Sequence, residues 1–253
     1  MQLSLVLTVA QGKRLIAKAV AQLPEVQRAM AQGTIAIGRG TTNGYVAEEL
    51  LGHPIPKGEY VAGRTLPPGV PGEALGRGQY PDIVLKNGQP VEGATVVGAV
   101  ETMGAGDVFL KGANALNYAQ GVVGVLIGHP TGGTMGGTYG TIISRKIQLI
   151  IPIGLEKLVY EDINELSRAS RRAEIYPGMS VPSLYPFTGT IITEIEAFSI
   201  LCGVNARLLA SGGVAGAEGA IWLLLDGDQQ ALDQAVLVYQ SVSEEPGLGL
   251  AGE

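Results

Sequence analysis

Three groups of residues in this chain have types and spacings that could do chemistry. The first is Gly38-Arg-Gly-Thr-Thr-Asn-Gly44, set between a buried apolar run and a helical one. Turn amides, the positive end of a following helix and threonine hydroxyls together make an anion site. Gly38, Arg39, Gly40, Thr41, Thr42 and Asn43 are therefore candidate ligands, and Arg39 could clamp an anion through two parallel bonds. The plainer reading is a tight strand-to-helix turn capped by Thr42 or Asn43. The second group is Gly132-Gly-Thr-Met-Gly-Gly-Thr-Tyr-Gly140, with five glycines in nine residues. A plain connection has no use for so much chain entropy. Close approach of the backbone to a ligand explains it, with Gly132, Gly133 and Thr134 as contacts and Thr131 and Thr138 adding hydroxyls. Close approach to the first glycine loop is the alternative. The third group is single titratable residues at strand ends. Lys111 and Asn114 follow a buried strand, where open α/β sheets bind ligands, and His129 lies between Gly128 and Pro130 at the end of the next one. A surface lysine and a hydrogen-bonded structural histidine are the simpler readings.

The elements that would position these groups are readable from the apolar pattern. Residues 13–30 have helical spacing with a break allowed at Pro24, residues 34–37 make a short buried strand, and residues 42–51 a helix. His53 follows a C-capping glycine and only ends that helix. Residues 53–80 are an irregular, proline-rich excursion. Residues 82–85 and 94–97, joined around Asn87-Gly88, read as a β-hairpin. Strands are expected at residues 107–110, 122–127 and 149–153, with a helix over residues 138–146 and another from near Tyr160. The acidic run over residues 156–165 reads as a solvated helix face. Apolar strands separated by glycine turns and helices indicate a sheet covered on both faces. After a proline-containing linker, the pattern becomes helix (194–201), strand (206–210), strand (220–225) and helix (229–242). The tail beyond Ser243 should fray.

Composition narrows the function. Of 253 residues, 46% are hydrophobic and 16% charged, which describes a well-buried globular protein. A net charge of −6 leaves no basic stripe for nucleic acid. A single cysteine, Cys202, excludes an internal disulfide and a multi-cysteine metal site, and its apolar neighbours suggest a buried, inert thiol. Two distant histidines, His53 and His129, give no metal-ligand spacing. The first twenty residues carry no charge ahead of their apolar run, so they read as strand then helix rather than a secretion signal. No run reaches membrane-spanning length. A cytoplasmic protein without metal or cofactor is expected.

Two stretches, taken in order, resemble the ribose-5-phosphate isomerase / glucosamine-6-phosphate deaminase / CoA-transferase superfamily. One is Ala36-Ile-Gly-Arg-Gly-Thr-Thr-Asn-Gly44. The other runs from Asp107-Val-Phe-Leu-Lys-Gly-Ala-Asn-Ala115 through the second glycine segment to Ile142-Ile-Ser-Arg-Lys-Ile147 and Pro152-Ile-Gly-Leu-Glu-Lys-Leu-Val159. The resemblance spans about residues 34–160. It implies a sugar-phosphate site, yet the isomerase's carboxylates are missing. Lys111 and Asn114 stand where the family has aspartates, and Arg145 where it has a basic glutamate. An aldose–ketose isomerase needs a base beside the carbonyl, and a guanidinium stays protonated. Glu101 is a conceivable nucleophilic glutamate of the CoA-transferase kind, without that family's surrounding pattern.

Together these readings predict a doubly wound, mostly parallel α/β domain over residues 1–175, a linker at 176–187, and a small α+β, ferredoxin-like domain over 188–243. The terminal unit would form a lid or an oligomer contact, and a homo-oligomer is expected. The chain should bind a small anionic, phosphorylated metabolite between the two glycine segments, with Asn114 and Arg145 as further contacts. The alternative is an isomerase, lyase or CoA-transferase-type enzyme acting on a sugar phosphate or acyl-CoA through His129, Lys111 or Glu101. A structural or regulatory subunit that keeps the fold without the pocket is a third reading.

Overall fold

The computed structural model describes residues 1–63, 65, 80–173 and 183–248. It is a mixed α/β protein built on a central six-stranded sheet. The chain begins with β1 (Gln2–Leu7), then α1 (Val9–Gln22) and α2 (Pro24–Gln32). Thr8 and Gln11 form a reciprocal capping box that starts α1, and Pro24 at the first position of α2 places the break between them. β2 (Thr34–Ile37) leads through Gly38 and Gly40 into α3 (Thr41–Leu51), and all four β2 residues are buried.

β3 (Ile83–Lys86) and β4 (Gln89–Pro90) form a hairpin about Asn87 and Gly88, both at positive φ (50° and 75°). The turn lies where the sequence predicts it. The second arm does not: residues 96–99 form a short helix, α4 (Val96–Ala99), rather than a strand. The β-branched Val96 and Val97 favour extended chain, but Thr95 caps Gly98 and the Asp82 carboxylate accepts the Val96 N–H. Satisfying those amides starts a helical turn.

The next segment runs β5 (Val108–Leu110), β6 (Ala115–Asn117), β7 (Val122–Ile127), α5 (Gly133–Ser144), β8 (Gln148–Pro152) and α6 (Ile163–Ser170), with a 3-10 turn at Leu155–Lys157. The last described part is β9 (Ser183–Phe187), β10 (Thr190–Ile192), α7 (Glu194–Cys202), β11 (Asn205–Ser211), β12 (Ile221–Asp226) and α8 (Gln229–Gln240).

The central sheet has the order β10-β8-β5-β2-β3-β4. β2, β5, β8 and β10 are parallel, and β3 and β4 extend the sheet antiparallel. Alternate residues serve two faces, as the strand period requires. Ile35, Ile37, Val108, Leu110 and Ile150 pack with α1, α2, α3 and α7, whereas Ala36, Phe109, Leu149 and Ile151 pack with α4, α5 and β7. Phe109, at 0% exposure, anchors the second layer; fully burying such a side chain contributes about 1.5–3 kcal/mol.

Two smaller antiparallel sheets flank this one, β1-β12-β11 and β6-β7-β9. Both cross the domain boundaries expected from sequence. β1 is the partner of β12, so residues 2–7 complete the terminal unit, and β10 belongs to the central sheet. The expected linker is corrected in part: residues 183–187 form β9 and pair with β7, while residues 176–182 lie outside the described residues. β7 lies in the third sheet rather than beside β5. Gly124 permits this, since a Cβ there would meet Leu184 Cδ1 at 2.7 Å.

The tail is held further than expected. Gln11 donates to the Ser243 carbonyl, and Arg14 pairs with Glu245 at 2.8 Å. Arg14 also pairs with Glu48 at 2.5 Å and Glu49 at 3.0 Å, and Lys57 reaches Glu48 at 2.9 Å, with both cations over the Tyr45 ring. Cys202 is half-buried rather than enclosed, and burial pushes its thiol up to about 11. No helix among the described residues is long and apolar enough to cross a membrane.

Candidate functional site at the carboxyl ends of the parallel strands

Parallel strands bring their carboxyl ends to one edge, and four segments leave the central sheet there. β2 continues into Gly38, β5 into Lys111, β8 into the Leu155–Lys157 turn, and β10 into Thr193 and Glu194. Ligands of open α/β sheets lie at this edge.

The glycine turn is built differently from a bare anion cradle. The Gly38 N–H donates to the Leu110 carbonyl at 2.8 Å and the Gly40 N–H to the Tyr60 carbonyl at 2.9 Å. Asn43 Nδ2 donates to the Gly38 and Leu110 carbonyls at 2.6 and 3.2 Å, tying the turn to β5. Arg39 Nε donates to Asp82 at 2.7 Å, and the other Asp82 oxygen accepts the Val96 N–H. These amides and the Arg39 Nε are thus committed to the fold. Available groups begin one residue later. α3 starts at Thr41 without a side-chain cap, so its first amides have no intrahelical acceptor. Thr42 Oγ1 and Asn43 Oδ1 are buried there without a hydrogen-bond partner among the described residues.

Lys111 lies against this turn. A Cβ on Gly38 would fall 2.9 Å from Lys111 Cδ, so only glycine leaves the lysine its place. The residue is 9% exposed, and its ammonium donates to the Gly112 carbonyl at a long 3.3 Å. Burial, aided by the nearby charge of Lys157, lowers its pKa to about 8. Lys157 turns its ammonium inward and donates to the Ala113 carbonyl at 2.8 Å. Burial lowers its pKa as well, with Glu156 opposing that shift and Lys13 adding to it.

An acidic pair completes the edge. Glu194, the first residue of α7, is 2% exposed and accepts the Leu155 N–H at 2.9 Å. Burial and the neighbouring Glu156 charge push its pKa up to about 8. Glu156 pairs with Lys13 of α1 at 3.5 Å. Gly12 lets α1 approach, because a Cβ there would lie 2.4 Å from Glu194 Oε1.

The other residues singled out from sequence have separate places. The glycine segment at 132–140 is the body of α5, not a loop. Its glycines serve close packing: a Cβ on Gly136 would sit 2.1 Å from the Thr131 carbonyl, and one on Gly137 would press on Val97 of α4. Gly132 (φ 83°) and Gly133 (φ 55°) make the left-handed entry, and Thr138 donates back to the Thr134 carbonyl at 2.7 Å. His129 is exposed and its Nδ1 meets Thr131 Oγ1 at 3.0 Å; it lines a shallow groove with Arg171 and Tyr185. Asn114 is exposed and its Oδ1 accepts the Leu126 N–H at 3.0 Å, closing the third sheet. Glu101 and Arg145 are exposed and precede β5 and β8, at the opposite edge from Lys111; Arg145 reaches the Met103 carbonyl.

Of the sequence candidates, the structure brings together Lys111 and the 38–43 turn. It adds Lys13, Glu156, Lys157 and Glu194, and the solvated face expected at 156–165 is corrected for its first two residues. A charged pair directly after a wholly apolar strand, as in Gly154-Leu-Glu-Lys157, was the available signal. Among the described residues, no cluster of three or more His, Cys, Asp or Glu side chains is placed to hold a metal ion. Compared with known proteins, the chain matches no family model, no curated protein and no solved structure.

Proposed function

We propose that this chain binds a small anionic, phosphorylated metabolite at the carboxyl ends of β2 and β5, against the amino end of α3. The observation that carries this reading is Lys111. Among the described residues its buried ammonium has no carboxylate partner, its pKa is depressed by burial and a second lysine, and it adjoins a helix start with unpartnered polar atoms. An anion there would offset the desolvation of the lysine, and the α3 amides and Thr42 hydroxyl would add hydrogen bonds. The site therefore shifts from a cleft between two glycine loops to one glycine turn plus Lys111.

The same reading keeps the superfamily resemblance, a doubly wound central domain and a ferredoxin-like terminal unit as parts of the proposal. The central sheet with both faces covered supports the second, and the sheet of β1, β12 and β11 under α7 and α8 supports the third. With Lys111 and Asn114 in place of aspartates, ribose 5-phosphate is bound without being isomerised.

A thermal-shift series at low ionic strength tests this, with inorganic phosphate, ribose 5-phosphate and adenosine monophosphate. Ligand at a hundredfold excess over its dissociation constant stabilises by about 2.7 kcal/mol. That stabilisation should weaken as pH rises through 8, where Lys111 loses its charge. A flat series, or one unaffected by Lys111→Met, refutes the assignment.

A further inference from the structure

A second ammonium beside Lys111 adds attraction for an anion, but repulsion between the two charges works against folding. Here the pairing is built in by the fold. Lys111 ends β5, Lys157 follows β8, and Lys157 is anchored on the Ala113 carbonyl, two residues beyond Lys111. Among the described residues the Lys111 ammonium makes one hydrogen bond, the 3.3 Å contact with the Gly112 carbonyl. Beside it, Gly38 clears the path of the side chain, and Arg39, Gly40 and Thr41 are half-buried. The set comprises a buried amine, a cation beside it, a half-buried glycine turn and a helix start with unpartnered polar atoms. That is the arrangement that activates a lysine as a nucleophile.

From this geometry we infer that Lys111 condenses with the carbonyl carbon of a small anionic aldehyde or ketone to form a Schiff base. The inference rests on the proposed anion site and adds the chemical class of its ligand. In the step, the neutral Nζ lone pair attacks the carbonyl carbon and the C=O π pair moves to oxygen. The oxygen leaves as water with the two hydrogens of the amine, and a C=N bond remains. No oxidant or reductant is required. The Lys157 ammonium favours the neutral form of Lys111 before attack, and its charge faces the oxygen as it develops. The groups acting on Lys157 are Glu156, Lys13 and Glu194, so the acidic pair sets the charge of the neighbour rather than touching the nucleophile.

Glyoxylate and pyruvate are suitable probes, being small anions with an aldehyde and a ketone. The full chain is incubated with each at pH 7.5 with sodium cyanoborohydride, which reduces an imine to a stable secondary amine, and is then read by intact mass and peptide mapping. At this pH a lysine titrating near 8 has roughly a hundredfold larger neutral fraction than one titrating at 10.5. A single carboxymethyl group from glyoxylate, or 1-carboxyethyl group from pyruvate, on Lys111, formed at least about tenfold faster than on the exposed Lys146, supports the inference. Slower labelling of Lys111 in Lys157→Met supports the role of the second cation. Adducts spread over exposed lysines, with Lys111 unmodified, overturn it. A phosphate-induced thermal shift is measured in parallel. A shift without an adduct overturns the Schiff base and leaves anion binding standing; neither shift nor adduct overturns both. Lys111→Arg, which keeps the charge but cannot form an imine, should retain the phosphate shift and lose the adduct.

Discussion

Replacing Lys111 by methionine should make the protein more stable at neutral pH. The two side chains have similar length and volume, so the packing beside Gly38 is preserved. What is removed is an ammonium inside the protein with one long hydrogen bond among the described residues. Its pKa falls from an ordinary 10.5 to about 8 in the folded chain, and at pH 7 this disparity costs about 3 kcal/mol of native stability. In the unfolded chain the amine titrates at its ordinary value. Between pH 8 and 10.5 the unfolded state therefore binds more protons, and the lysine's contribution to stability rises with pH. The burden is fully present below pH 8 and gone above 10.5. Lys111→Met should gain about 2–3 kcal/mol at pH 7 in urea denaturation, and the gain should shrink to near zero by pH 10.5. The quantity to follow is the difference between variant and parent across pH, because other groups titrate equally in both. A variant less stable at pH 7, or a gain that does not change with pH, would refute the account of Lys111 as a buried charge kept for binding.

Three further perturbations test other parts of the structure. Glu194 is raised to about 8 by burial and by Glu156, so the native state binds more protons than the unfolded state between pH 4.5 and 8. Its contribution therefore falls as pH climbs through that window, and Glu194→Gln should gain on the parent in melting temperature from pH 5 to 9; a constant difference would contradict this. Burial works to raise Glu48, but hydrogen bonds from Lys57, the Ile55 N–H and Arg14 hold it below 4.5, so its stabilisation is present above pH 4.5 and lost as pH falls through the depressed value. Glu48→Gln should cost about 3 kcal/mol at pH 7 by leaving Arg14 and Lys57 underpaired, and denaturant midpoints unchanged from the parent would show the cluster to be dispensable. Gly136→Ala would bring a Cβ to 2.1 Å from the Thr131 carbonyl, so at least about 1–3 kcal/mol should be lost and the start of α5 should lose protection in hydrogen exchange. Normal protection there would mean the entry to α5 is looser than drawn.

Local signals were readable in the chain itself. The Pro24 break, the buried β2, the extended run of β7, the Asn87-Gly88 turn and the start of α3 all follow from interactions within a few residues. Such signals also misled where a neighbour distant in sequence took over. Val96 and Val97 suggested a strand until Asp82 supplied an acceptor for a helix start. The glycines at 132–140 suggested a ligand loop, when the crowding they relieve is between α5, its own entry turn and α4.

The candidate site divides in the same way. Lys111 and the 38–43 turn stood out because each follows an apolar strand, a pattern carried by adjacent residues. Lys157, Glu156, Glu194 and Lys13 did not, since a charge beside other charges in sequence reads as solvated until something covers it. What covers them is the pairing β5–β8–β10 and the placement of α1 across it, together with β1 closing on β12 more than two hundred residues away. Hydrophobic periodicity sets which residues face inward, but it carries no record of which strand will lie beside which. That choice is made by burial summed over the whole sheet, so only the folded chain puts two further lysines and two glutamates at the edge where Lys111 lies.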